Sequence, residues 1–399
     1  MEEKAKRKLL LILYASQTGN AIDAAERLGR EAERRGCPAA VLSVDEFDPI
    51  SLPNEEIVVF VVSTTGQGDT PDPMKVFWRF LLQRNLSQIW LKGVNYAVFG
   101  LGDSSYQKYN FVAKKLDKRL LDLGATPIIE RGLGDDQHPS GYEGALDPWM
   151  SSLWNVLHQN NRMLFPNGPE YETSNIELLD QPKIKITYHD AYDTDVLFHT
   201  VADLNFVEKQ IVRARSMFPG THSGKNRPDC FLRMVKNDPL SKVGCGKDVR
   251  HFELEPVSSS IQYEVGDVLE VLPGQSAASV DAFIKRCNLN PDSYIRVQPR
   301  DKDQRPADNS ISTVMLPVRL RTFVELTMDI ASASPRRYFF EIMSYFATAE
   351  HEKERLKYFA SSEGRDDLYQ YNQKERRTVL EVKLFICSFF LSKKKNPVL

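Results

Sequence analysis

Cysteine is scarce in this chain, and its placement excludes more than its number does. The five cysteines, Cys37, Cys230, Cys245, Cys287 and Cys387, lie far apart with no CxxC pair. That spacing supports neither a disulfide framework nor a cysteine-rich zinc or iron–sulfur site, and it suits a reducing, cytoplasmic setting. Long apolar runs are missing too: no segment approaches the ~20 residues of a membrane span. The run "LLLILYA" at 9–15 follows a basic stretch, as in a signal peptide. It is short and leads into a turn rather than a small-residue cleavage site, so it reads as a buried first strand. An excess of one charge is also absent. With 52 Lys+Arg against 54 Asp+Glu the net charge is −2, although residues 1–160 are mildly acidic. Nothing in that balance calls for nucleic acid or an anionic membrane as a partner. Finally, the phosphate-clamping GxxxxGK[ST] is missing, and "GLGDSS" and "GQGDTP" both fail G-x-G-x-x-G at the last glycine. ATP and a dinucleotide are thereby disfavoured as ligands of the first domain.

What remains is an ordinary globular composition, 42% hydrophobic and 27% charged, over 399 residues. That length predicts two or three domains. From 9 to 160, apolar β-like runs at 9–15, 39–44, 57–62, 94–99 and 127–131 alternate with helix-like segments at 21–35, 74–84, 110–123 and 147–159. Continuous apolar strands separated by amphipathic helices predict a five-stranded, doubly wound parallel sheet covered on both faces. Residues 161–227 read as a linker, with loop-like "FPNGPEY" and "MFPGTHSGKNRPD". From 228 to 382 the texture becomes that of antiparallel strands ("DCFLRMVKN", "VRHFELEP", "YEVGDVLEVLP") and then helical again. Residues 383–399, "KLFICSFFLSKKKNPVL", fit neither pattern.

Four turns follow strands in phase: "SQTGNA" (16–21), "STTGQGD" (63–69), "GLGDSSYQKYN" (100–110) and "GLGDDQ" (132–137). In an open α/β sheet such turns gather at the carboxyl ends of the strands, where ligands bind. The first turn offers hydroxyl and amide donors from Ser16, Thr18 and Asn20, with the backbone amides of Gly19 to Ala21 opening a helix. It carries no lysine or arginine, yet a helix start can hold a monophosphate with neutral donors alone. Thr64, Thr65, Gly66 and Gly68 allow close backbone approach, and Tyr106 can stack on a flat ring. Asp69, Asp103, Asp135 and Asp136 ring the same mouth; such an acidic rim disfavours an anionic ring and steers a basic partner. Each feature has a plainer reading: a capped strand–helix turn, a half-buried tyrosine, or acidic turn residues.

The four turns resemble the FMN loops of the flavodoxin-like domain in diflavin reductases. The flanking "FWRFLLQRNL", "NFVAKKLDKRL" and "LDPWM" narrow this to the NADPH-dependent diflavin oxidoreductases of cytosolic iron–sulfur protein assembly. The resemblance implies a flavodoxin-like domain followed by an FAD-binding β-barrel with a helical connecting segment. It also implies electron flow from NADPH through FAD to FMN and on to an iron–sulfur, anamorsin-like protein. Carried onto this sequence, FMN contacts fall on Ser16, Gln17, Thr18, Gly19, Asn20 and Ala21, and on Ser63, Thr64, Thr65 and Gly66. They continue through Leu101, Gly102, Asp103, Ser104, Ser105, Tyr106, Gln107, Lys108, Tyr109 and Asn110 to Asp136. Thr65 stands where the cytochrome P450 reductase branch has a second stacking tyrosine, so the resemblance implies one aromatic partner, Tyr106. In "NQKERRTVLEV" it implies an FAD contact, placed here on Arg376 rather than Arg377, where a solvated charge is the plainer reading.

After Val382 the family pattern stops: the R-x-[FY]-S motif, the NADP domain and the C-terminal aromatic are not found. The expectation is a truncated or alternative form with an incomplete FAD-binding domain and unpaired strand edges. FAD binding is then doubtful and NADPH lacks a site in the chain, so reduction of its own FMN by NADPH is not expected. A non-catalytic module that docks the iron–sulfur partner, and a stand-alone flavodoxin with an inert appendage, are the alternatives.

Overall fold

The computed structural model describes residues 9–168, 184–189, 232–256 (without 243 and 245), 263–299 (without 267, 268, 270, 272 and 273) and 317–382 (without 348). The chain divides into two compact units, one of residues 1–180 with 333–394 and the other of 181–332 with 395–399. The first unit opens with β1 (Leu10–Ala15), α1 (Asn20–Arg34), β2 (Ala39–Ser43), β3 (Ile57–Ser63), α2 (Met74–Leu81), β4 (Asn95–Gly102) and α3 (Phe111–Asp122). It continues through β5 (Thr126–Pro127), β6 (Gly132–Asp135) and α4 (Glu143–Asn160). The strands are parallel in the order β2-β1-β3-β4-β5, and β6 also pairs with β4.

Strand geometry sends alternate side chains to opposite faces, and here both faces are covered. Leu10, Ile12, Val59, Val61 and Phe99 pack with Leu28 of α1 and Trp149 and Leu153 of α4. Leu11, Leu13, Val58, Phe60, Val62 and Val98 pack with Phe77 of α2 and Leu116 of α3. That is why the strands read as unbroken apolar runs. Because β1 lies between β2 and β3, strand order reverses beside it, and the loops after β1 and β3 diverge around a crevice.

Two expectations change in this unit. The fifth strand, expected at 127–131, is split: after Ile128 donates to Tyr96 O, 129–131 leave the ladder, and "GLGD", expected as a turn, is β6. A Cβ on Gly132 would lie 2.4 Å from the Phe99 ring, so only glycine lets this stretch lie flat against β4. Similarly, Gly100 and Gly102 belong to β4 rather than to the turn. Helix α4 starts at Glu143 rather than 147, with Pro148 inside it, and it buries Leu146, Trp149, Met150 and Leu153.

The second unit holds β7 (Ile184–His189), a β8 (Leu232–Pro239)–β9 (Arg250–Pro256) antiparallel pair, and α5 (Ala277–Arg286), capped by Ser276. Then come β10 (Tyr294–Pro299), β11 (Val318–Arg319) and α6 (Leu320–Thr327). Antiparallel pairing joins β11, β10 and β7. Small cores form around Ile295, Val318 and Phe323 and around Val280, Ile284 and Val324. The β8–β9 pair leaves Met234, Val235, Phe252 and Leu254 exposed. The third strand expected over 263–273 is not formed by the residues described there, where Gly266 turns the chain at φ +104°; the others lie outside the described residues. The divergent stretch 383–399 and most of the expected linker also lie outside them.

The chain then returns to the first unit with α7 (Arg337–Phe346), α8 (Glu350–Ala360) and α9 (Arg365–Tyr369), followed by a π-helical turn over Gln370–Lys374. Phe340, Leu356, Phe359 and Val382 form its core, with Tyr371 stacked on Phe359 at 5.5 Å. Arg34 of α1 pairs with Glu341 of α7, and Arg337 donates to Glu143 and Asp147 of α4. These helices therefore pack with the parallel-sheet region. Cys37 and Cys287 are buried free thiols, and burial pushes both up to about 12, so they stay protonated at neutral pH. Among the described residues no helix is long and apolar enough to cross a membrane.

Candidate functional site

The crevice at the carboxyl ends of β1, β3 and β4 collects the sequence-selected loops. In the first, Ser16 Oγ accepts from the Gly19 amide at 2.9 Å. Gly19 adopts φ +98° as the residue capping α1, and a Cβ built on it would meet nothing within 4 Å. The position is open space next to a helix start, where backbone amides lack internal partners. Gln17 ties this loop to the next, its Nε2 donating to Asp72 and its Oε1 accepting from the Asp72 amide, both at 3.2 Å. Thr18 is exposed, and Ala21 is buried in the core between α1 and the sheet.

The second loop is a tight turn closed on itself. Thr65 and Asp69 exchange backbone hydrogen bonds of 3.0 and 2.8 Å, with Gly66 and Gly68 at positive φ. Ser63 Oγ donates to the Ala15 carbonyl, and Thr64 Oγ1 accepts from the Val112 amide at the start of α3. In the third loop, Asp103 accepts from both the hydroxyl and the amide of Ser105. Those bonds, the Ser105 hydroxyl foremost, hold its carboxyl below the ordinary range. Ser104 and Gln137 donate backbone amides to Asp135. Burial and the neighbouring Asp103 and Asp135 carboxylates push Asp136 up. Tyr106 is 56% exposed at the mouth, an unusual setting for a large ring in a packed domain.

Asn110 joins the third and fourth loops. It is fully buried in the left-handed region at φ +51°, which asparagine tolerates better than most residues, and its Nδ2 donates to Gly134 O at 2.8 Å. Its Oδ1 is buried with no hydrogen-bond partner. Tyr109 donates its hydroxyl to Leu133 O. Together Thr64, Gly66, Asp103, Tyr106, Lys108, Tyr109 and Asn110 line a cleft of about 330 Å³. Gln67 lines it too, which the sequence reading did not select. Leu101 and Gly102 end β4 outside the cleft lining, while Ser104, Ser105 and Gln107 are exposed on either side of Tyr106 in the chain.

Residues 12–149 match the family model described as flavodoxin, and residues 224–387 the model described as an FAD binding domain. The chain is 63% identical over 379 residues to the NADPH-dependent diflavin oxidoreductase 1 of Arabidopsis thaliana, covering 94% of this chain and 60% of that protein. It belongs to the diflavin oxidoreductase family. Proteins of the same name from Danio rerio and Xenopus laevis are 38% identical over 374 and 375 residues, covering 94% of this chain and 59% of each of them. The diflavin reductase chain thus spans about three fifths of the length of these relatives. The FAD binding domain match falls where the sequence had left FAD in doubt.

The cleft fits a flavin mononucleotide on two observations of this structure. Asn110, which lines the cleft, keeps a buried side-chain oxygen, Oδ1, with no hydrogen-bond partner. The space at Gly19, which any side chain would occupy, stands open at the start of α1. Arg376 lies outside the cleft lining: it is exposed at φ +51° after the π-helical turn, where the expected continuation of the connecting helix ends. Sequence reading also missed Arg336, whose Nη2 donates to Asn20 Oδ1 at 2.9 Å across 316 residues of chain.

Proposed function

We propose that this chain binds FMN in the cleft and serves as the electron-delivering part of an NADPH-dependent diflavin reductase. Electrons would arrive from NADPH by way of FAD, held by the region matching the FAD binding domain with Arg376 as a candidate contact. They would leave for an iron–sulfur, anamorsin-like protein. The observation that carries this reading is a cleft lined by the second and third loops, with the first loop tied by Gln17 to Asp72 and the fourth by Asp135 to Ser104, and with open space at Gly19 and an unpartnered Asn110 Oδ1. Bound FMN would supply the capacity to take up and release electrons singly, which no side chain here has.

The chain's own residues do the rest. Ser16, Thr18 and the amides of Gly19 to Ala21 would hold the phosphate. The turns at 64–68 and 103–110 would clasp the ring, and Tyr106 would cover one face. The exposed mouth, with Asp69, Asp103 and Asp135 around it, keeps a path open to a protein surface of positive charge. A cytoplasmic setting accords with the two buried, unpaired thiols.

Protein purified with its native cofactors tests the reading: about one FMN per chain by mass spectrometry is expected, and a chain that neither carries nor takes up FMN refutes it. Tyr106→Ala should weaken FMN binding by about tenfold to a hundredfold, the loss of one stacking contact of ~1–3 kcal/mol. Fluorescence titration measures it, and an unchanged affinity would remove Tyr106 from the ring site.

A further inference from the structure

We propose that Arg336, which lies just ahead of α7, is the cationic arm of the phosphate cradle and that cofactor loading thereby favours docking of the α7–α9 helices; this rests on the reading of the cleft as an FMN site. The first loop has no positive charge of its own, and a carboxylate, Asp23, sits in the first turn of the helix it opens. Asp23 accepts a 2.6 Å bond from the buried Tyr142 hydroxyl, and burial together with that carboxylate pushes the Tyr142 phenol well up. A phosphate monoester of charge about −1.5 to −2 at this helix start would face that carboxylate one turn away. Helix amides favour the anion, and Asp23 opposes it.

Arg336 offsets the conflict. Its guanidinium reaches Asn20, the first residue of α1, at 2.9 Å, and its charge also acts on Tyr142. A guanidinium has five donors, and one bond to Asn20 leaves others for phosphate oxygens. Its neighbours fix it in place. Pro335 is bonded through its carbonyl to the buried Asn372 amide. Arg337 donates to Ala360 O at 2.7 Å and to Asp147 at 3.1 Å. Tyr338 lies under Arg30 at 4.0 Å. The arm therefore stands on a packed element, not on a loose loop. A ligand that engages Arg336 binds the docked arrangement better than any other, and so shifts the chain toward it.

Riboflavin, which has the ring but no phosphate, isolates this contact. R336Q is expected to lower FMN affinity about tenfold while leaving riboflavin affinity within about twofold, the worth of one charge-assisted hydrogen bond. Because Arg336 joins a packed region, the unmodified protein supplies a second measurement. FMN should slow amide hydrogen exchange over 337–346, and riboflavin at equal saturation should not. Equal losses for both flavins in R336Q, or no loss for either, overturn the proposal. So does α7 protection that is equal for the two ligands or absent with both. Failure of the unmodified chain to bind either flavin would instead overturn the FMN reading itself, and the arm with it.

Discussion

Gly19→Asp is expected to abolish FMN binding, with an affinity loss of a hundredfold or more. Two effects add. Gly19 holds φ +98°, a left-handed conformation that costs a non-glycine residue about 1–2 kcal/mol. An aspartate there also sets a negative charge against the phosphate; at about 4 Å and an effective dielectric near 20, that repulsion is ~4 kcal/mol per unit charge. Steric exclusion by the protein contributes nothing, since the position is open to 4 Å. Gly19→Asn therefore separates the terms: it has the same shape, tolerates positive φ and lacks the charge, and it should lose only about tenfold or less. Titrations of flavin fluorescence measure both. An unchanged affinity for the aspartate variant would mean that the phosphate lies elsewhere.

Asp147→Asn should give the largest stability change, about 3–5 kcal/mol, because it strips the shared partner from buried cations. Asp147 accepts from Arg27 at 2.5 Å and Arg337 at 3.1 Å and pairs with Arg365 at 3.5 Å. Arg27 already has one buried nitrogen, Nη1, without a partner. Burial alone would raise the Asp147 carboxyl, but Arg27 and Arg337 outweigh it and hold it below the ordinary carboxylate range. A lowered folded pKa contributes stability that is present above the unfolded value, about 4, and is lost as pH falls through the folded one. The gap between native protein and variant in urea unfolding should thus be full at neutral pH and close below pH 4. A gap that persists undiminished in acid would show that the ion cluster is not its source.

The turns after β1, β3 and β4 were legible because their information is local. Ser16 bonds Gly19 three residues on, Asp103 bonds Ser105, and Thr65 bonds Asp69. The apolar strands were legible because both faces of the sheet are covered, so every position in 57–62 is buried. The fifth strand misled because its glycines, which signal a turn in isolation, meet Phe99, Trp149 and Tyr142 in the fold. The cluster at Asp147 was invisible for a related reason: its arginines come from residues 27, 337 and 365.

By itself, the sequence determined the layered α/β sheet, the four loops after its strands and the neutral donors of the first, since each depends on residues a few positions apart. Only the tertiary structure decided where positive charge meets that neutral loop. It also left the Asn110 side-chain oxygen buried without a partner and decided which helices pack on α1 and α4. The reason is physical: a chain brings remote residues together through packing, and no short-range pattern records that packing.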